Sequence, residues 1–274
     1  MKSLYELYSQ LGVNKSFLTY LSSNTDELYY KVIRPKMKFG KPQVVENYCK
    51  LRHLIPPVQA LKVIQESICA HLQKIVLPKS MYGSIARRNN VLNALQHIEN
   101  KFFLTIDLKD FFTRINNKQV HYIFIENGYC WEAARILTKL TTYKYSLPQG
   151  APTSPVIANL SFKRTALQLM EIITGHDITF TAYLDDLTFS SRKDFKHLQP
   201  AILETIKANK FLPHPDKILY SEDKCDVTGL FVGNGKLKIH PQMLEEAETN
   251  HSIKKYVEYV QMCFKEHKLN KFKA

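Results

Sequence analysis

The sequence predicts an α+β fold, with helices segregated on one side of a small antiparallel sheet. Three observations carry this expectation. Two short β-favouring runs, 178–182 and 187–189, flank Tyr183-Leu184-Asp185-Asp186. A strand-like run of bulky residues fills 101–108. Stretches with apolar residues at helical spacing surround these strands.

Residues 1–30 read as small helices, with Leu4, Leu7, Tyr8 and Leu11 on one face and Asn14 or Ser16 as a cap before a second helix. A hairpin follows over 31–56, where two β-prone segments flank a loop containing Pro35 and Gly40-Lys41-Pro42, and Pro56-Pro57 closes it. The stripe Leu61, Ile64, Ile68 and Leu72 predicts one helix over 58–76. After the strand at 101–108, helices are expected at 118–126 and 132–141, parted by Asn127-Gly128, with Trp131 as a packing anchor. Ser154 fits as the cap of a helix running through Leu160, Leu167 and Met170 to Gly175, and 196–209 reads as another helix. In 241–274 the residues Ile253, Tyr256, Val257, Val260 and Phe264 form a helix-spaced stripe. Lys254, Lys255, Lys265, Lys268, Lys271 and Lys273 accompany it. One principal helix is expected there, its lysines available to phosphates.

The turn Asp185-Asp186 places two carboxylates side by side, which repel unless a cation or basic group neutralises them. Asp is common in turns, so a solvated hairpin also accounts for the pair. A third acid shifts the balance. Asp107 ends the strand 101–108, on the same face as Thr105 and opposite Ile106 and Leu108. Three hard oxygen donors suit Mg²⁺ or Mn²⁺ completed by water and phosphates. Two such ions about 3.5–4 Å apart serve an in-line phosphoryl displacement.

At 274 residues and 45% hydrophobic the chain is long enough for a sizeable core. A formal charge of +13, from 38 basic and 25 acidic residues, favours a polyanionic partner. Eight basic residues lie between Lys31 and Lys62 against the single acid Glu46, a basic flank ahead of the acidic centre. A charged, solvated loop gives the same pattern. The five cysteines contain no Cys-x-x-Cys pair, and no Cys/His set has zinc spacing. The first residues lack an apolar leader and no run is long enough to span a membrane, so a cytoplasmic, membrane-free protein is expected.

In their order and spacing these segments resemble the reverse transcriptases, specifically the bacterial retron type. The Asp107 strand is similar to the first catalytic motif of that family's palm, and Tyr183-Leu184-Asp185-Asp186 to its double-aspartate hairpin. Leu147-Pro148-Gln149-Gly150-Ala151-Pro152-Thr153-Ser154-Pro155 resembles the motif that positions template and nucleotide. Asn93-Ala94-Leu95-Gln96-His97 and Val227-Thr228-Gly229 are similar to two further retron signatures. The resemblance covers residues 30–235. The chain departs from it at Leu184, where retron enzymes usually carry Ala, and in a short stretch after Gly229.

The resemblance implies a right-hand polymerase. Its N-terminal helices and fingers would occupy 1–100 and its palm 101–235, with a helical insertion at 113–145. The segment 236–274 would form a short, reduced thumb. It implies RNA-directed DNA synthesis with Asp107, Asp185 and Asp186 as catalytic acids and ligands of two Mg²⁺ ions. Arg52 and Lys62 match triphosphate-contacting positions, and Phe112 the steric gate against a ribose 2′-hydroxyl. Gln149 and Gly150 fall in the nucleotide-positioning loop. Lys217 matches a palm lysine near the leaving pyrophosphate, although an isolated lysine in a turn is equally well solvated. Phe111 and Phe112 cannot both face one way, so one belongs to the core, and His97 reads as a hydrogen-bonded structural residue. Implied partners are dNTPs, a structured noncoding RNA serving as template and primer, its cDNA product, an effector protein of a phage-defence system and an oligomeric assembly. The alternatives are another defence-associated or group II intron-like reverse transcriptase, or a catalytically idle nucleic-acid-binding protein.

Overall fold

The structure is a computed structural model that describes residues 2–38, 41–46 and 48–271. Gly40, Lys273 and the side chain of Lys271 lie outside the described residues. From the N terminus the chain forms helices α1 (Leu4–Leu11) and α2 (Lys15–Ser23), then strands β1 (Val32–Pro35), β2 (Met37–Lys38), β3 (Lys41–Pro42), β4 (Val44–Val45), β5 (Tyr48–Cys49) and β6 (Leu51–Leu54). Helices α3 (Gln59–Leu72) and α4 (Asn90–Leu95), strand β7 (Phe102–Leu108) and helices α5 (Phe111–Arg114), α6 (Asn117–Glu126), α7 (Trp131–Thr141) and α8 (Ser154–Ile173) follow. Strands β8 (Ile178–Tyr183) and β9 (Asp186–Ser191) precede helix α9 (Gln199–Ala208). The chain continues through β10 (Pro213–Glu222), β11 (Cys225–Val227), β12 (Leu230–Gly233), β13 (Lys236–Ile239), α10 (Pro241–Thr249) and α11 (His251–Lys271).

The backbone divides into two compact units. The first comprises Met1–Arg34, Leu51–Pro78 and Asp110–Arg164; the second comprises Pro35–Lys50, Lys79–Lys109 and Thr165–Ala274.

In the first unit, local chemistry sets the helix ends. Ser3 and Glu6 close a reciprocal capping box on α1, and the Asn14 side chain accepts from the Phe17 amide to start α2. Leu7, Leu18 and Leu21 are buried, together with the expected stripe Leu61, Ile64, Ile68 and Leu72 of α3 and with Ala133, Ala134, Leu137 and Leu140 of α7. Helix α3 stops at Leu72, where its buried stripe ends, short of the expected 76; Val76 is exposed. Buried Gln65 ties the helices together, its Nε2 donating at 2.7 Å to both Tyr29 Oη and the Leu140 carbonyl. Trp131 is not the buried anchor expected of it. It is 58% exposed at the first residue of α7, edge-on to His121 with centroids 4.3 Å apart, because the apolar face of α7 begins two residues later.

The second unit is built on an antiparallel sheet in the order β10-β7-β9-β8, beside a smaller sheet β11-β12-β13. Val91, Ala94 and Leu95 of α4, with Ile98, bury themselves against Phe103, Val227, Leu230, Val232 and Val260. Burial of this kind supplies about 25 cal/mol per Å² of apolar surface. Residues 196–209 form a 3₁₀ turn, Lys196–Leu198, leading into α9. The segment 241–271 forms two helices, divided where Asn250 Oδ1 accepts from the Ser252 and Ile253 amides. α11 is the principal one: Val257 and Val260 of the expected stripe are buried together with Cys263, while Ile253, Tyr256 and Phe264 are half-buried. Among the described residues no helix is long and apolar enough to cross a membrane, and the five cysteines are free thiols.

Candidate active site

Strands β8 and β9 are joined by a two-residue turn, Leu184-Asp185, closed by the pair Tyr183↔Asp186. Asp186 therefore belongs to a strand, not to the turn. In the neighbouring ladder it lies directly opposite Asp107 of β7. The Asp185 carbonyl accepts from the Leu108 amide at 2.8 Å, so the turn is hydrogen-bonded to the end of the strand that carries Asp107. The structure thus brings together three acids separated by almost eighty positions in sequence.

Lys217 joins them. It sits in β10, where the register against β7 shifts between Pro213 and Ile218, and its Nζ donates to Asp107 Oδ2 at 2.9 Å. The sequence left this lysine either near a leaving group or solvated in a turn; the structure places it in a strand, paired with an acid. Asp186 retains exposed surface at the start of β9. Desolvation, then the charges of Asp185 and Asp107, push its carboxyl up to about 7, with Lys217 opposing the shift and Asp226 adding to it. Desolvation and then Asp186 raise the Tyr183 phenol as well.

Among the described residues no group of three or more His, Cys, Asp and Glu side chains is gathered as a metal-binding set. The chemistry of the donor set nevertheless fits Mg²⁺. That ion commonly takes one or two carboxylates together with water and substrate phosphates, not an all-protein cage. The suppressed ionisation of Asp186 marks a place where added positive charge is favourable.

Arg52, Lys62, Phe112, Gln149 and Gly150 lie in the first unit. Arg52 is exposed on β6, and Lys62 on α3 faces Glu66 at 3.7 Å. The Gln149 carbonyl accepts from the Ile55 amide at 2.7 Å, which docks the proline-rich loop on the chain just past β6. Gly150 has φ +110°, a conformation closed to most side chains, and a Cβ there would lie 3.4 Å from Leu54 Cβ. Phe111 is buried and Phe112 half-buried, the rings edge-on with centroids 5.6 Å apart, so the pair divides as expected. Asp110 precedes α5 in the left-handed region without capping it through its side chain.

Two polar networks were missed as partnerships. Asn90 Nδ2 donates to the Thr228 carbonyl at 3.2 Å and to Tyr256 Oη at 2.6 Å, while Asn89 Nδ2 donates to Tyr259 Oη at 2.8 Å. The start of α4 is thereby linked to the Val-Thr-Gly turn and to α11, and Asn93 Nδ2 of the Asn-Ala-x-x-His segment donates to Thr228 Oγ1 at 3.4 Å. His97 is fully buried past the end of α4; its ring shares hydrogen bonds with Ser190 Oγ at 2.6 Å and Thr181 Oγ1 at 2.7 Å. Burial lowers its pKa to about 3, so it is neutral and structural. For the His97 network the sequence signal was the polar residues Thr181 and Ser190 within β8 and β9.

Residues 41–232 match the family model described as reverse transcriptase (RNA-dependent DNA polymerase). The chain belongs to the reverse transcriptase family. Within it, the chain is similar to retron enzymes. It is 29% identical over 210 residues to the Retron Ec86 reverse transcriptase of Escherichia coli, covering 72% of this chain and 63% of the relative. With the Retron Se72 reverse transcriptase of Salmonella heidelberg it shares 26% over 251 residues, covering 86% of this chain and again 63% of the relative. The match to the Retron Mx65 reverse transcriptase of Myxococcus xanthus is 30% over 184 residues, covering 59% and 43%. The chain thus spans somewhat under two thirds of the length of the first two retron reverse transcriptases. Among solved structures, the telomerase of Candida albicans, in complex with a fragment of telomeric RNA, shares the fold. Its TM-score is 0.54 at 11% identity, over 82% of this chain and 51% of that one.

Proposed function

We propose that this chain is an RNA-directed DNA polymerase of the retron type, copying a cognate structured noncoding RNA into a short cDNA. The observation that carries the proposal is the pairing of Asp107 with Asp186 across β7 and β9, with Asp185 in the adjoining turn and Lys217 on Asp107. In this reading 101–235 is the palm with a helical insertion at 113–145, 1–100 the N-terminal helices and fingers, and 236–274 a short thumb.

Asp107, Asp185 and Asp186 would hold two Mg²⁺ ions, or Mn²⁺ in their place, which when bound supply charge neutralisation and Lewis-acid activation for the displacement at the α-phosphorus. Lys217 shields Asp107 before nucleotide arrives and then turns its ammonium toward the leaving pyrophosphate, a change of partner that a flexible four-carbon stem permits. Arg52 and Lys62 give charge-assisted hydrogen bonds to the triphosphate. The Phe112 ring excludes a ribose 2′-hydroxyl by overlap, and Gln149 and Gly150 present hydrogen-bonding groups and free space to the base pair being formed. Lysines of α11 grip RNA phosphates. A primer 3′-hydroxyl, or a specific RNA 2′-hydroxyl, attacks the α-phosphorus of a dNTP and pyrophosphate leaves. The proposed setting is cytoplasmic phage defence with an effector protein, in an oligomeric assembly.

The test is to purify the protein from its native cells, sequence the nucleic acid that accompanies it, and assay incorporation of dNTPs on that RNA with Mg²⁺. One structured RNA carrying a short complementary cDNA is the expected result. Absence of RNA-templated, Mg²⁺-dependent incorporation on that RNA and on a generic primed RNA would refute the reading.

A further inference from the structure

The hairpin that carries Asp185 and Asp186 is held from outside the sheet by residues 80–83. Met81 pairs in parallel with Ala182 of β8. The Ala182 amide donates to the Ser80 carbonyl at 2.8 Å, and the Tyr82 amide donates to the Ala182 carbonyl at 2.7 Å. Arg88 braces this strap through Nη1, which donates to the carbonyls of Met81 and, at 3.4 Å, Lys79. The strap therefore extends the sheet for one bridge, just before the acidic turn.

Gly83 comes next, and its role is spatial. Its φ lies outside the left-handed region, so its backbone would accept a side chain. A Cβ there would nonetheless fall 2.7 Å from both Leu184 Cγ and the Leu184 amide nitrogen, and 2.9 Å from the Tyr183 carbonyl carbon. Two of those three atoms are backbone and cannot swing aside. The turn they belong to is already constrained, since Leu184 has φ +57°, a left-handed conformation unfavourable for a leucine. Any retreat of Leu184 from Gly83 moves Asp185 and Asp186, its sequence neighbours.

We propose that Gly83 is a positioning residue for nucleotidyl transfer: the strap 80–83 seats the Leu184 turn and so sets where Asp185 and Asp186 present their carboxylates. This rests on the polymerase reading above. Gly83→Ala displaces the turn without removing any group that touches substrate. A shift of about 1 Å in a catalytic constellation costs up to about 100-fold in rate, so kcat should fall about 10- to 100-fold while the KM for dNTP stays unchanged.

The test combines steady-state kinetics on a primed RNA, a thermal melt, and hydrogen exchange at the Leu108 amide, whose acceptor is the Asp185 carbonyl. In Gly83→Ala the proposal expects lower kcat, a melting temperature lowered by at most a few degrees and faster exchange confined to Leu108 and the hairpin. Adding Leu184→Ala, which removes the clashing Cγ, should recover part of both the rate and the protection. Unchanged kcat and unchanged Leu108 exchange in Gly83→Ala would overturn it. So would a lowered melting temperature with exchange raised throughout, which would make Gly83 a packing position. If the wild-type protein itself shows no Mg²⁺-dependent incorporation, the polymerase reading fails, and exchange at Leu108 still decides whether Gly83 positions the turn.

Discussion

The two ends of the sheet formed by β7, β9 and β8 carry polar side chains under opposite conditions. At one end Asp107 and Asp186 lie opposite each other across the ladder with Asp185 in the adjoining turn, and Lys217 pairs with Asp107. Farther along the strands, from Thr181 to the end beyond Ser190, the side chains of His97, Ser190, Thr181 and Asn100 are buried and neutral. Asn100 Nδ2 donates to Ser190 Oγ at 2.7 Å, and both ring nitrogens of His97 have hydroxyl partners. The same strands supply both ends. The difference lies in satisfaction: a closed, paired network stabilises one arrangement, whereas at the acidic end desolvation and then repulsion raise the Asp186 carboxyl, a cost that added positive charge relieves.

The largest effect should come from emptying the open end. Asp185→Asn, Asp186→Asn or Asp107→Ala should lower Mg²⁺-dependent incorporation by several kcal/mol in the barrier, about 10³-fold or more, with melting temperature and RNA affinity close to wild type. Retention of more than a small residue of activity would break the contrast, because the acids would then be ordinary solvated residues.

The closed end should respond in the opposite currency. His97→Ala leaves two hydroxyls without their partner in a buried cavity and should cost about 2–4 kcal/mol of folding stability, read from denaturant titration. The kcat of the folded fraction should not change. The same histidine sets a pH dependence. Its pKa is about 3 in the folded chain and about 6.5 when unfolded. Between these values the unfolded state binds the extra proton, so His97 makes stability fall as pH drops from about 6.5 toward 3, by up to about 1.4 kcal/mol per pH unit. That component should be missing from the acid-unfolding curve of His97→Asn; an unaltered curve would remove His97 from the closed network.

Between the ends in size lies the bridge to Asp107. Lys217→Ala should reduce kcat roughly 10-fold, since a single positioned charge near a developing anion is lost while the acids remain. A loss confined to stability would assign the ion pair to structure. The smallest effect in rate should come from Phe112 in the other unit. Phe112→Val should raise the ratio of rNTP to dNTP incorporation efficiency roughly 10-fold with dNTP turnover nearly intact. An unchanged ratio would leave Phe112 as ordinary packing beside Phe111.

The sequence by itself determined the main strands and helices around the acidic end. The β-prone runs around Asp185-Asp186, the strand ending at Asp107 and the helical stripes at Leu61–Leu72 and Ile253–Phe264 are local patterns, set by neighbours two to four residues away. The motif order sufficed to identify the family, and the half-buried Phe112 beside a buried Phe111 follows from their adjacency. The exposure of Trp131 was not legible, because which face of α7 is covered depends on helices elsewhere in the chain. Only the tertiary structure decided the partnerships. His97 meets residues 84 and 93 positions away, Asn90 meets Tyr256 166 positions away, and Lys217 reaches Asp107 across 110. The space at Gly83 belongs to the same class. Glycine in the sequence announces freedom of φ, but here the constraint is a neighbouring backbone that no local pattern records, and it exists only once β8 has been laid beside residues 80–83.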